Sequence, residues 1–369
     1  MKGNNQAYKL WLCLLCSFIL LPLEIQAQEK GDSITGKVHK IDEVTVTAER
    51  TKQQVKSSSP FQQLNKKQLQ QQGITDIADA LRRFSGVNIK DYGGAGGMKT
   101  ISVRSLGAKH TAVVYDGVTL SDCQSGQIDL SRFSIDNIQQ ISLTIGDNED
   151  IFVPARTVAS AAALKLQSIS PDFSNKKNHL TGQIKTGSFG MINPLIRYEQ
   201  KFNEKISAST TGEFMRADNL YPFTLVNGDY VSKEKRYNNN IQTYRGELNL
   251  YISPNNRSTL NGKIYYYDTN QQLPGAVILY NAKSREKLRE RNFFSQVHYR
   301  TYWENNLSLL INGKFNWSQS HYHDEGGKYP GGELNDRYFQ REYYTSEHYY
   351  ILRLVTGAWF MRQITYIIT

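Results

Sequence analysis

From about residue 180 onward the chain is written in twos. Leu307, Leu309, Ile311, Gly313, Phe315 and Trp317 alternate with Ser308, Asn312, Lys314, Asn316 and Ser318. Tyr244, Gly246, Leu248, Leu250 and Ile252 do the same against Arg245, Glu247 and Asn249, and Ile206, Ala208, Thr210, Gly212 and Phe214 against Ser207, Ser209, Thr211 and Glu213. Alternate side chains of a strand point to opposite faces, so this pattern predicts strands with one apolar face, in a soluble sandwich or a transmembrane barrel. The spacing predicts strands over 180–187, 194–202, 205–216, 240–252, 259–268, 290–303, 306–319 and 337–353. Tight turns at Asn203-Glu204 and Glu304-Asn305 alternate with long connections over 217–239, 269–289 and 320–336. Short turns on one side and long loops on the other favour the barrel. Tyr265, Tyr266, Tyr267, Tyr299, Tyr302, Tyr343 and Tyr344 fall near strand ends, as aromatic girdles would require.

Composition narrows the compartment. Of 369 residues, 21% are charged and 39% hydrophobic, too polar for a helical membrane bundle and too apolar for a disordered chain. Twenty of the 23 Tyr lie after Leu180, which marks a change of architecture. The net charge of +10 is scattered rather than gathered in a stripe, so nucleic acid is not an expected partner. Residues 1–27 read as a secretory signal: Lys2 and Lys9, an apolar run from Leu10 to Leu21, then Ile25-Gln26-Ala27. Cleavage would leave Cys123 as the remaining thiol, so no internal disulfide framework is expected. No later segment is apolar enough for a membrane helix, so residence in a membrane would require β-structure.

Residues 28–62 read as a polar linker closed by Ser57-Ser58-Ser59-Pro60. Within it Asp42, Glu43, Val44, Thr45, Val46, Thr47 and Ala48 form a short alternation without a local partner: a strand able to add to another protein's sheet, or a disordered stretch that happens to alternate. Residues 63–170 read as a compact α+β unit. Ile74, Ile77, Ala78, Leu81 and Phe84 have helical spacing, with Gly73 or Thr75 as the start and Ser85-Gly86 as the stop. Strands are expected from Gly86 to Lys90, Thr100 to Arg104, Thr111 to Tyr115, Gln140 to Ile145 and Ala161 to Gln167. Asp116-Gly117 makes a hairpin turn and Ser134 to Asn137 a single helical turn. Gly93-Gly94-Ala95-Gly96-Gly97-Met98-Lys99-Thr100 is no phosphate loop, because Met98 separates the glycines from Lys-Thr and a strand follows.

These residues together resemble the TonB-dependent outer-membrane receptors, especially those of Bacteroidetes. Ile77-Ala78-Asp79-Ala80-Leu81-Arg82-Arg83-Phe84-Ser85-Gly86-Val87 is similar to the family's "L…PGV" helix and strand, and Ile101 to Gly107 to its "I-x-I-R-G" strand. Val113 to Val118 is similar to its "V-L-x-D-G-V" hairpin and Ile138 to Leu143 to its "I-x-x-I-E-V" strand. The resemblance implies an α+β plug domain followed by antiparallel transmembrane β-barrel strands, 171–369 being the N-terminal part of the barrel. It makes Asp42 to Ala48 the TonB box. It also implies import of a scarce ligand such as cobalamin or a ferric siderophore by energy-coupled plug rearrangement. The implied partners are TonB with its inner-membrane motor, outer-membrane lipid, a small-molecule or metal-chelate ligand and a surface lipoprotein. No cofactor is expected.

The chain departs from the family at Ile145-Gly146-Asp147, where an "R-G-P" turn is usual, and at Ala159 to Leu164, where the plug usually ends Gly-rich. A family barrel has roughly 22 strands, whereas about eight are countable here and the last residue is Thr369 rather than an aromatic, so the expectation is a truncated or split reading frame. The alternatives are a binding or signalling receptor that does not transport, and a non-functional gene product. No nucleophile, base and orienting acid stand at motif spacing, so no enzyme activity is expected. His321 and His323, with Asp324 and Glu325, are weak metal candidates on an expected loop. Arg82, Arg83, Arg104 and Asp116 are expected to form structural ion pairs. Tyr92, Gly93, Gly94, Gly96 and Gly97 are the expected apical ligand contact, by position in the family.

Overall fold

The computed structural model describes residues 59–93, 96–122, 125–146, 155–174, 176–277, 284–303, 308–329, 332–345, 350–354, 357–361 and 366–368. The signal sequence, the alternation Asp42 to Ala48, Gly94 and Cys123 lie outside them. No helix among the described residues is long and apolar enough to cross a membrane.

The first unit opens with β1 (Phe61–Asn65) and α1 (Lys66–Gln71). The sequence reading places Phe61 and Gln62 in the linker; in the structure both pair with a strand of the sheet. Asn65 and Gln68 exchange side-chain and backbone hydrogen bonds in a capping box. α2 (Ile77–Leu81) starts neither at Gly73 nor at Thr75. Its cap is Asp76, whose carboxylate accepts from the Asp79 amide at 2.7 Å. Gly73, at φ +63°, instead serves the turn that leaves α1.

β2 (Val87–Asp91) and β3 (Lys99–Val103) form a separate hairpin. β4 (Thr111–Tyr115) turns through Asp116 and Gly117, at φ +45° and +84°, into the short β5 (Val118–Thr119). Positive φ at both central residues is what a tight primed turn demands. β6 (Ile138–Ile145), the short helix α3 (Ala155–Val158) and β7 (Ala162–Ser168) complete the unit. The sheet order is β1-β6-β7-β4-β5, with β4 and β7 parallel and the other neighbours antiparallel. Every residue of β4 is buried, as expected of a strand covered on both faces.

Long antiparallel strands follow: β8 (Asn178–Gly187), β9 (Met191–Lys201) and β10 (Ile206–Ala217). The connection after β10 carries an unforeseen hairpin, β11 (Pro222–Asn227) with β12 (Tyr230–Lys235). Then come β13 (Ile241–Asn255), β14 (Ser258–Leu273), β15 (Glu286–Tyr302), β16 (Ser308–Tyr329) and β17 (Gly332–Thr345). β18 (Tyr350–Leu354) pairs with β19 (Gly357–Met361), and β20 (Tyr366–Ile368) with β17. Expected strand 337–353 is thus broken, and the described part of 320–336 is not a long loop: β16 and β17 pair to Asp324↔Leu334 and again at Tyr329↔Gly332. Among the described residues the curved wall is one sheet in the order β20-β17-β16-β15-β14-β13-β10-β9-β8.

The wall inverts the usual globular polarity. Arg197, Glu213, Glu247, Asn249, Lys263 and Lys314 are buried on the face toward the plug. Leu180, Ile184, Ile192, Ile196, Leu248, Ile264 and Val297 are exposed on the other. A continuous apolar band facing outward from a strand wall is stable where the surrounding solvent is lipid.

Cutting the Asp76 cap has a measurable cost. Asp76 also pairs with Lys99 at 2.6 Å. Burial pushes its carboxyl up, but the Lys99 and Asp79 hydrogen bonds and the Lys99 charge outweigh burial and hold it below the usual carboxylate range. A lowered native value contributes stability that is present above the unfolded carboxylate range and lost as pH falls through the native one. Asp76→Ala should destabilise the plug by about 0.5–2 kcal/mol at neutral pH through the cap. Urea titrations across the acid range should show wild type and variant converging; a pH-independent gap would assign the effect to something other than this carboxylate.

Candidate functional site

The plug meets the wall along a seam of buried charge. Lys263 on β14 reaches Asp116 of the β4–β5 turn at 2.6 Å, contacts Glu247 on β13, and lies 3.3 Å from the Ser168 hydroxyl. Its ammonium also sits 4.2 Å over the Tyr115 ring. The Tyr115 hydroxyl donates to Glu247 at 2.7 Å. Burial, with the Glu247 and Asp116 carboxylates beside it, pushes that hydroxyl far above its usual range, so it stays a donor. Asp116 accepts from both the amide and the hydroxyl of Ser168 at 2.7 Å, which ties the hairpin turn to the end of β7.

Toward the long connections the seam continues through Arg245, which pairs with Glu213 at 2.9 Å and donates to the carbonyls of Arg132 and Ser131 at 3.0 and 2.8 Å. Lys185 reaches Asp136 at 2.5 Å, and Arg197 donates to the Asp136 carbonyl at 3.3 Å. Aromatic rings fill the space between these pairs. Tyr265 stacks on Phe294 with centroids 4.7 Å apart, and both stand edge-on to Tyr115 at 6.3 Å. Tyr265 and Tyr267 are 3% exposed and belong to the plug's hydrophobic core, so they are not girdle residues as expected. Tyr266, 41% exposed, faces out.

Two cavities of mixed polar and apolar lining flank the seam. One of about 560 Å³ lies beside Asp76, Lys99, Asp136, Lys185, Glu213 and Arg245. The other, about 360 Å³, is lined by Asp116, Lys165, Ser168, Asn249, Lys263 and His298. The charged part of each lining can hold a hydrated polar molecule.

Of the residues expected at the apical contact, Tyr92, Gly93, Gly96 and Gly97 are described and lie between β2 and β3. The Tyr92 amide donates to the Met98 carbonyl at 3.0 Å, closing the loop between β2 and β3. Tyr92 is 62% exposed at its rim. A Cβ at Gly96 would collide with Ile241 of the wall, and one at Gly97 with the Gly93 carbonyl, so both positions need glycine. Asp91 accepts from the Gly93 amide at 3.2 Å and pairs with Arg82 at 3.0 Å. Arg83 reaches the Gln72 carbonyl at 3.5 Å, and Arg104 occupies a left-handed turn at φ +49°. His321 and His323 are on strand β16, not on a loop; their rings lie 6.1 Å apart, and among the described residues no three metal-type ligands converge.

The family described as TonB-dependent Receptor Plug Domain matches residues 53–152. Residues 53–152 are thus a TonB-dependent receptor plug domain by similarity. A curated relative, the Vitamin B12 transporter BtuB of Vibrio vulnificus (strain YJ016), is 30% identical over 144 residues, which is 38% of this chain and 22% of that protein. Among solved structures, a mutant of the ferric enterobactin receptor PfeA of Pseudomonas aeruginosa aligns over 81% of this chain and 47% of its own, with TM-score 0.57 and 13% identity. The siderophore receptor PiuA of Acinetobacter baumannii aligns over 81% and 43%, with TM-score 0.58 and 11% identity. The chain therefore spans about a fifth of the curated relative and under half of these structures. The strands after the plug share the fold of the strands in these structures.

The sequence reading missed Lys263, Glu247, Arg245 and Arg197 as plug partners. The available signal was their parity: each stands on the polar face of an alternating strand.

Proposed function

We propose that this chain belongs to an energy-coupled importer of a scarce small ligand, cobalamin or a ferric siderophore, in the outer membrane of a Gram-negative bacterium. The observation that carries the reading is the plug–wall seam. Beside the aromatic contact of Tyr115 with Tyr265 and Phe294, it is made of buried ion pairs and hydrogen bonds bordered by two cavities, so the plug can shift by exchanging polar partners while the wall's own strand ladders stay intact. The similarity to a vitamin B12 transporter and to siderophore receptors supports the ligand class. Tyr92 and the loop from Gly93 to Gly97, at the end of the β2–β3 hairpin, are the first contact for that ligand.

In this reading Asp42 to Ala48 adds as a strand to TonB, and the inner-membrane motor pulls on it. Tension then arrives at Pro60 and β1, the outermost strand of the plug sheet. Removing Asp42 to Ala48 from the native receptor should reduce uptake of radiolabelled ligand to background while ligand binding to whole cells is retained. Uptake that survives the deletion would refute the coupling role.

A further inference from the structure

The larger of the two cavities, about 560 Å³, is walled by α2 and residues 130–136 of the plug on one side and by β8, β9, β10 and β13 on the other. Gly96 belongs both to its lining and to the loop that carries Tyr92, so the cavity adjoins the expected ligand contact. Its charged groups cancel. Asp76, Asp136 and Glu213 stand against Lys99, Lys185 and Arg245, three carboxylates against three cations, with the pairs closed at 2.6, 2.5 and 2.9 Å. Neither an anionic nor a cationic guest finds an uncompensated counter-charge there. Ile77, Phe133, Ile135, Met191 and Met215 supply apolar surface around the pairs. Such a lining suits the body of an uncharged ligand, with a few polar groups to orient it.

The oxygens of these carboxylates are unequally occupied. Asp76 accepts from the Asp79 amide at 2.7 Å on one oxygen and from Lys99 on the other. Asp136 accepts from Gln183 at 3.1 Å on one and from Lys185 on the other. Glu213 takes both of its partners on a single oxygen: Oε1 accepts from Asn193 at 2.8 Å and from Arg245 at 2.9 Å. Glu213 stands opposite Arg245 in the β10–β13 register, and its side chain is only 5% exposed. Its Oε2 is buried and has no hydrogen-bond partner among the described residues. The Ser134 hydroxyl, on the same lining, is buried without one as well. A buried acceptor left unmet is costly, and a carboxylate oxygen is met only by an N–H or O–H. The cavity therefore asks its occupant for a donor rather than for a charge.

We propose that this cavity selects the ligand: it takes an uncharged group bearing N–H or O–H donors, such as the carboxamide fringe of a corrinoid, and Glu213 Oε2 is the acceptor that reads it. The proposal rests on the importer reading and narrows its ligand class, because the catecholate oxygens of a ferric siderophore bring negative charge toward this carboxylate. The test uses the native receptor purified in detergent, the variant Glu213→Gln, and two probes, cyanocobalamin and ferric enterobactin. Asn193 and Arg245 both donate, so they hold the oxygen of the introduced amide and turn its NH2 toward the cavity, a donor where an acceptor stood. Wild type should bind cyanocobalamin in preference to ferric enterobactin. Glu213→Gln should bind cyanocobalamin about 10-fold more weakly, the loss expected for one hydrogen bond to a charged acceptor. It should bind ferric enterobactin no more weakly than wild type does, since a negative charge is gone. The Ser134 hydroxyl makes no cap bond, so Ser134→Ala is a second variant, with a smaller loss for cyanocobalamin alone. It carries the comparison if circular dichroism and urea unfolding show that Glu213→Gln does not fold. Cyanocobalamin affinities unchanged in both variants, or a parallel loss for both probes, would overturn the site and leave the importer reading standing. A wild type that prefers ferric enterobactin would overturn the ligand class assigned to the cavity. Binding of neither probe would overturn the ligand class of the importer reading and the site together.

Discussion

Lys263→Met should loosen the plug more than any other single change in the seam. The side chain is 6% exposed, and it neutralises two carboxylates, Asp116 from the plug and Glu247 from the wall. Removing the ammonium leaves Glu247 buried and Asp116 half-buried, with their shared partner gone. Breaking a buried ion pair from one side costs about 3–5 kcal/mol, a large share of the 5–15 kcal/mol that holds an ordinary domain together. Asp116 keeps its Ser168 bonds, so the greater penalty falls on Glu247, which retains the Tyr115 hydroxyl and the Asn249 amide. The expected result is a plug that unfolds at lower urea and a receptor that admits bulky antibiotics normally excluded. Lys263→Met/Glu247→Gln should recover much of the loss, because the uncompensated charge on the wall is then gone. A single variant with wild-type urea midpoint and wild-type antibiotic exclusion would show that the ammonium is not a latch. No recovery in the double variant would place the cost in lost packing against Tyr115 instead.

The wall was legible in the sequence because a strand between lipid and a hydrated plug must keep its polarity period, and it does so through Leu248, Leu250, Ile264 and Val297 on one side and Glu247, Asn249, Lys263 and Gln296 on the other. The period fades where both faces carry polar residues. His321, His323, Asp324 and Glu325 with the glycines after them therefore read as a loop, although β16 continues to Tyr329. Tyr265 and Tyr267 were misassigned for a related reason. Aromatic residues near a strand end suit an outward girdle or an inward contact equally, and register with Lys263 decides for the plug. In the plug, the helix after Gly73 was clear from its apolar spacing, but its start was read at Gly73 or Thr75, whereas Asp76 caps it through the Asp79 amide and is held in place by Lys99. β1 left almost no trace. Phe61-Gln62-Gln63-Leu64-Asn65 has weak strand propensity, and it is held by pairing with β6 and by the two bonds, 3.0 and 2.6 Å, that Gln62 exchanges with Ser85. The TonB-box alternation falls outside the described residues, and its role stands on the resemblance.

Joining β1 to β6 by a disulfide should stop transport without touching ligand binding. β1 is an edge strand with β6 as its neighbour in the sheet, across five register pairs from Phe61↔Thr144 to Asn65↔Gln140. The chain enters it from Pro60, whose carbonyl already accepts from the Ile145 amide at 3.1 Å. A pull delivered through the linker therefore loads these bonds from one end, in sequence. Each is worth only about 0.5–1.5 kcal/mol net, so peeling yields at far lower force than shearing the whole strand would. Gln63 and Ser142 face one another in the register. Directly opposed residues of an antiparallel pair have Cα atoms about 4.5–5.5 Å apart, within the reach of a disulfide. Gln63→Cys/Ser142→Cys, oxidised in the native receptor, should bind ligand at wild-type affinity and import it at background rate; reduction should restore import, and each single cysteine variant should transport normally. If the oxidised double variant imports as fast as wild type, the pull does not enter through β1, and the first contact to yield must lie farther in, where Lys263 bridges Asp116 to the wall.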